Sequence, residues 1–189
     1  MKSILIALLF VTIHLAAQKP CPIYGDKPVA KFMMLDSLKN RSITTEINSN
    51  IKLEDILTFK GDDTKRYNSS NYVELTGYII LVKWGGAETC NCHSKSKDDL
   101  DIHIELALSP DAKPTEAMVL EINRFTKDIR DYKTLKQLVG QRVTVQGYMM
   151  LDDEHLNNAV TTNPKGKRNW RYTCWELHPL LHIYIPFTR

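Results

Sequence analysis

Tyr72-Val-Glu-Leu-Thr-Gly-Tyr-Ile-Ile-Leu-Val-Lys83, a polar connector over residues 84–100, and Asp101-Ile-His-Ile-Glu-Leu-Ala-Leu108 form the stretch on which the fold turns. Both arms are rich in β-branched and aromatic residues and alternate in part with period two, the pattern of half-buried strands. In the second arm Asp101, His103 and Glu105 share one face. Ile102, Ile104 and Leu106 take the other, because successive strand side chains point to opposite sides. A strand face that reads Asp-His-Glu is chemically unusual.

Outward from this pair, Asp111 to Pro114 reads as a turn and Met118 to Ile122 as a third strand. The spacing of Ile129, Tyr132, Leu135, Leu138 and Val139 predicts a helix over Phe125 to Val139, stopped by Gly140. Arg142 to Leu151 is a fourth strand with an internal Gly147, Asp152 to Arg171 a long loop, and Tyr172 to His178 a fifth strand. Ile183 to Pro186 reads as a further edge strand, limited by its proline. The order strand, strand, strand, helix, strand, strand is that of an OB-fold, a five-stranded Greek-key barrel with its helix between strands three and four. Other small β-rich folds with one helix share it. Gly77 and Gly147, each inside a long strand, favour a closed barrel, in which strands must coil.

Ahead of the barrel, residues 19–71 read as an N-terminal extension packed on it rather than as a second domain. Cys21-Pro22 and Lys27-Pro28 give an extended lead-in. Ala30 to Leu38 suits a short helix or a strand, and Ile51 to Phe59 a helix with Leu53, Ile56 and Leu57 on one side. Residues 1–18 carry Lys2, an apolar run from Ile4 to Ile13 and small residues near positions 17–18, the layout of a secretory signal peptide. The mature chain, residues 19–189, is then expected to be exported to a periplasmic or extracellular space, with no membrane span of its own.

The 25 Lys+Arg stand against 22 Asp+Glu, a formal net charge of +3 to which Lys2 of the leader contributes one. Such a balance gives no long-range field that would mark a nucleic-acid or membrane binder, so partners must be argued from sites. Four cysteines, Cys21, Cys90, Cys92 and Cys174, allow three complete pairings in an oxidising compartment. A direct Cys90–Cys92 bond would be cramped; either one bonding to Cys21 or Cys174 is easier to build.

Several short motifs carry a resemblance: Thr76-Gly77-Tyr78, Trp84-Gly85-Gly86, Cys90-Asn91-Cys92, Asp101-Ile-His103-Ile-Glu105-Leu106, Gly147-Tyr148, Asp153-Glu154-His155, Asn169-Trp170-Arg171 and Trp175-Glu176-Leu177-His178-Pro179. Over roughly Leu35 to Leu180 the chain resembles a family of uncharacterised bacterial exported proteins with an expected OB-fold-like domain. The resemblance implies that fold and export, and transfers no activity.

OB-folds meet ligands on the face of strands two and three, between the loop joining strands one and two and the loop joining four and five. On that plan Cys90, Cys92 and His93 fall in the first loop, and Glu154, His155, Trp170 and Arg171 in or at the end of the second. Glu176 and His178 share a face of the fifth strand. The expected function is an exported binding protein using the second-strand face and loops 84–100 and 152–171, for a small molecule, a glycan or an envelope protein. The alternative is a metal-dependent hydrolase of phosphodiesterase or nuclease type. Its expected ligands to a divalent metal, zinc first, are His103, His155 and His178, with Asp101 or Glu105 as ligand or supporting carboxylate. Against it, His103 and His178 also read as strand histidines fastened by Asp101, Glu105 or Glu176. Cys90-Asn91-Cys92-His93 lacks the spacing of a Cys-x-x-Cys redox site. Trp170, Arg171 and Trp175 offer a stacking surface, although Trp175 suits a core position equally. Lys165, Lys167 and Arg168 beside Trp170 would suit single-stranded nucleic acid, which the near-zero net charge disfavours.

Overall fold

The computed structural model describes residues 20–185; the expected leader lies outside them. Five strands, β1 (Tyr72–Trp84), β2 (Ile102–Ala107), β3 (Ala117–Ile122), β4 (Arg142–Leu151) and β5 (Trp175–Tyr184), form a closed barrel in the order β1-β2-β3-β5-β4. Neighbours pair antiparallel except β3 and β5, which run parallel. With a helix (Tyr132–Gln137) between β3 and β4, this is the OB-fold-like barrel that the element order predicts.

Alternation fills the interior. Ile102, Ile104 and Leu106 of β2 meet Leu120 and Ile122 of β3, Val143 and Val145 of β4, and Leu177 of β5 in one core. Gly147 serves a close approach: a Cβ there would stand 2.7 Å from the Pro179 carbonyl oxygen. The β4–β5 register shifts on either side of Gly147. The expected fifth strand over Tyr172 to His178 and the expected edge strand from Ile183 belong to one element, β5, which begins at Trp175. Pro179 lies inside one continuous β5, at a place where the ladder is interrupted and no backbone donor is needed.

The expected helix over Phe125 to Val139 is shorter than its periodicity indicates. The Asn123 side chain accepts from the Phe125 and Thr126 backbone N–H groups and holds them in a turn. The Asp131 side chain then accepts from the Lys133 and Thr134 N–H groups, capping a new start. The strongest local capping residue overrides the apolar spacing.

Residues of the extension form two helices, α1 (Ala30–Lys39) and α2 (Leu53–Leu57). With the helix of Tyr132–Gln137 as α3, α2 sends Leu53, Ile56 and Leu57 into the barrel core, and α3 sends Leu135. A disulfide joins Cys21 to Cys92, and Cys90 and Cys174 are free and buried. Arg124 donates to the carbonyls of Cys21 and Pro22, and Asn40 to those of Ile23 and Cys90. The segment leading to α1 is thereby tied to the loop after β1. Both faces of β2 are buried, where alternation alone predicts one: on the outer face Trp170 packs against His103, beneath a cavity also walled by Lys39, Gly85 and Gly86.

Candidate functional site on the β2–β3–β5 face

The outer side of three adjacent strands carries the ionisable groups. His103 of β2 pairs in register with Glu121 of β3, and Glu105 with Val119. Val119 in turn pairs with Glu176 of β5, which brings His178 level with Glu121. All of them face away from the core because their neighbours in each strand face into it. They are not exposed: His103, Glu105, Glu176 and His178 are each 5% exposed or less.

Charges taken out of water need partners, and most are supplied within the group. His103 Nδ1 lies 3.1 Å from Glu121 Oε1, and His178 Nδ1 lies 3.1 Å from Glu176 Oε1. Arg171 donates through Nη2 to Glu176 Oε2 at 2.9 Å and through Nη1 to Asp152 Oδ2. His155 Nδ1 sits 2.7 Å from the same Asp152 oxygen. Four buried polar atoms of this face have no aligned partner among the described residues: His103 Nε2, Glu105 Oε2, Glu121 Oε2 and His178 Nε2. His178 Nε2 does stand 3.5 Å from Asp101 Oδ2, an ion-pair distance.

These environments pull the titrations apart. Burial alone would lower the His178 imidazole, but Asp101 and Glu176 outweigh it and carry the group up to about 10. Burial likewise opposes the charged form of His103, and Glu105 and Glu121 outweigh it, so that ring is raised as well. Glu176 is held well below the usual carboxylate range, its burial overcome by His178 and Arg171. Glu121 is raised, chiefly by burial. Two carboxyls on one face thus differ in proton affinity because one has an arginine and the other does not.

Above the face lies a cavity of about 250 Å³. Its walls come from Lys39 at the end of α1, from Trp84, Gly85 and Gly86, and from Glu88; Asp152, His155 and Trp170 close the far side. The Trp170 ring is tilted against His103 at 5.8 Å and meets His155 edge-on at 5.3 Å, between centroids. Lys39 donates to Glu88 at 2.9 Å, and Lys83 stands 5.4 Å from the Trp170 centroid.

Of the residues singled out in the sequence, His103, His155, His178, Glu154, Trp170, Arg171 and Glu176 line this cavity. Asp101 and Glu105 lie against it, each within 3.5 Å of one of the two strand histidines. Three others do not join. Cys92 is consumed by its bond to Cys21, and a sulfur in a disulfide has no thiolate to offer a metal. His93 is exposed and faces Asp26 at 3.7 Å. The Cys90 thiol is buried and pushed up, first by that burial and then by Asp101 and Glu88, so it stays protonated. Trp175 sits in the core, its Nε1 donating to the Asp63 carbonyl, and leaves the stacking surface to Trp170. Glu121 and Lys39 are members that the sequence reading missed. A single acid inside the otherwise apolar run Met118 to Ile122 is the signal that marks Glu121. Nothing local marks Lys39, which enters from the extension.

The His155–Asp152 pair at the rim gives a direct test. The bond to Asp152 raises the His155 imidazole, partly offset by burial. Its contribution to stability is complete below the ordinary histidine value of about 6.5 and fades as pH rises through the raised one. Proton NMR of the His155 ring is expected to give a midpoint above about 6.5 that falls in Asp152→Asn. A wild-type midpoint at or below that value contradicts the pairing. Comparison with known proteins found no matching family model and no match among curated proteins.

Proposed function

We propose that the chain is an exported, OB-fold-like protein that binds a small polar ligand in the cavity over β2, β3 and β5. The observation that carries the reading is the cavity itself. It is walled by buried groups of both charges and by the Trp84 and Trp170 rings, with several polar atoms left without partners on its floor. At about 250 Å³ it falls just below the usual range for drug-sized ligands, which suits a smaller, hydrogen-bonding molecule. Export is supported by the leader-like sequence of residues 1–18 and is compatible with the Cys21–Cys92 bond. Among the described residues no helix is long and apolar enough to cross a membrane.

The reading is tested by mass spectrometry of small molecules released by heat from mature protein purified out of its exporting cell. Wild type is expected to release a compound that Trp170→Ala releases about five- to a hundredfold less, since a base stacked on an aromatic ring gains about 1–3 kcal/mol. Equal release from both proteins, or none from wild type, contradicts it. A metal-dependent hydrolase of phosphodiesterase or nuclease type is the second reading, favoured by the buried Asp101, Glu121 and His178 beside the cavity. The basic residues Lys165, Lys167 and Arg168 are exposed and lie outside the cavity wall, so nucleic acid is not the preferred ligand.

A further inference from the structure

We infer that Asp101, Glu121 and His178 form a divalent-cation centre at the floor of this cavity. One ligand-type atom from each lies within 4.8 Å of the other two, and all three side chains are buried. They converge from separate places in the chain: Asp101 from the turn into β2, Glu121 from β3 and His178 from β5.

No lysine or arginine forms an ion pair with Asp101 or Glu121 among the described residues. The ion pairs of Arg171 go to Asp152 and Glu176 and that of Lys39 goes to Glu88. The ion-pair partners of Asp101 and Glu121 are imidazoles: His178 Nε2 lies 3.5 Å from Asp101 Oδ2, and His103 Nδ1 lies 3.1 Å from Glu121 Oε1. Glu121 Oε2 is left unmatched in a buried site, a cost that a metal ion would relieve. Glu121 spends Oε1 on His103 and has Oε2 without a partner; His178 spends Nδ1 on Glu176 and has Nε2 without an aligned one.

The bonding behind His178 follows the pattern of metal-bound histidines. A ligating imidazole almost always gives its other ring N–H to a carboxylate or carbonyl, which fixes the tautomer and the ring plane. Here Nδ1 faces Glu176, and Glu176 is itself fixed by Arg171. Nε2, which faces Asp101 Oδ2 at 3.5 Å, is the nitrogen on the cation's side, and the ion would bind there by displacing its proton. His103 stands in the same supporting relation to Glu121, one bond removed from the ion. His155 is held by Asp152 on the far wall and takes no part. The set is therefore one imidazole and two carboxylates, not three imidazoles.

One nitrogen and two oxygens suit a first-row divalent ion, zinc among them. Glu121 and His178 both line the cavity. With only three protein ligands, a coordination position is open toward the cavity, as in catalytic rather than structural metal sites. That position would take a water or an oxygen of the bound molecule. The centre relies on the ligand-binding reading only for what occupies the open position, and metal uptake and retention of an organic compound are read separately.

The test is calorimetric titration of Zn²⁺ into chelator-stripped mature protein. Wild type is expected to take up one ion per chain. Glu121→Gln is expected to weaken binding at least about tenfold, and Glu176→Gln, which loosens the carboxylate behind His178 Nδ1, by roughly 10–100-fold. His155→Ala should bind as wild type does. No uptake by wild type, wild-type affinity in Glu121→Gln, or loss of the ion in His155→Ala each overturns the assignment. X-ray absorption of zinc-loaded wild type needs no variant to fold. It should show one imidazole within a nitrogen and oxygen shell at about 2.0–2.1 Å. Two or more imidazoles, or sulfur at about 2.3 Å, would overturn the assignment as well.

Discussion

Arg171→Met is expected to destabilise the protein by about 3–5 kcal/mol, the usual loss when one member of a buried ion pair is removed. The guanidinium is 1% exposed and bridges Asp152 to Glu176. Methionine fills much of its volume but leaves the Glu176 carboxylate in a dry site with only His178 for company. For a chain of this length the loss corresponds to a fall of roughly 10 °C in the melting midpoint. Adding Glu176→Gln to the same chain removes the stranded charge and is expected to recover part of it. Urea unfolding of the two variants measures both effects. A loss under about 1 kcal/mol for Arg171→Met, the range of exposed pairs, would mean that Arg171 is far better hydrated than this burial indicates.

The second large effect concerns the bond between the extension and the barrel. Cys21–Cys92 closes a loop with a sequence separation of 71. Constraint of the unfolded chain by a loop of that size stabilises by about 4 kcal/mol in the chain-entropy model. Cys21→Ser, or a reducing agent on wild type, is expected to cost about 2–4 kcal/mol by urea unfolding. Because Asn40 and Arg124 also hold the segment through hydrogen bonds, the barrel core should still form. The mature variant should keep its far-ultraviolet dichroism below the new midpoint. If reduction leaves the midpoint unchanged, the covalent link adds nothing to those bonds, and its stabilising role fails.

Much of the architecture was legible because local and global signals agree. β4 is bounded where the sequence places it, at Arg142 and Leu151, and the barrel that Gly147 favours is closed, with that glycine at a close approach to Pro179 that the sequence does not announce. The β2 alternation sorted Asp101, His103 and Glu105 from Ile102, Ile104 and Leu106 correctly. It does not predict the burial of the polar face, because that depends on Trp170 and on the cavity walls from Lys39, Gly85 and Gly86, segments whose packing has no period to read. The helix over Phe125 to Val139 was drawn too long because side-chain caps at Asn123 and Asp131 outweigh apolar spacing. For the site, chain order brought the right segments together but could not rank their atoms. Which imidazole nitrogen has a partner depends on more than the residue's own strand: His178 has Glu176 two positions back in β5 on one side and Asp101, from the turn into β2, on the other. Glu121 was overlooked since its strand reads as apolar until its register with His103 is known.

Anomalous diffraction from crystals of the zinc-loaded protein tests the cation centre most directly. The expected map has one strong peak per chain, within about 2.0–2.2 Å of a single atom each of Asp101, Glu121 and His178. A peak only at an exposed histidine such as His93, or none beside His178, would contradict it and leave the buried charges as a self-contained network.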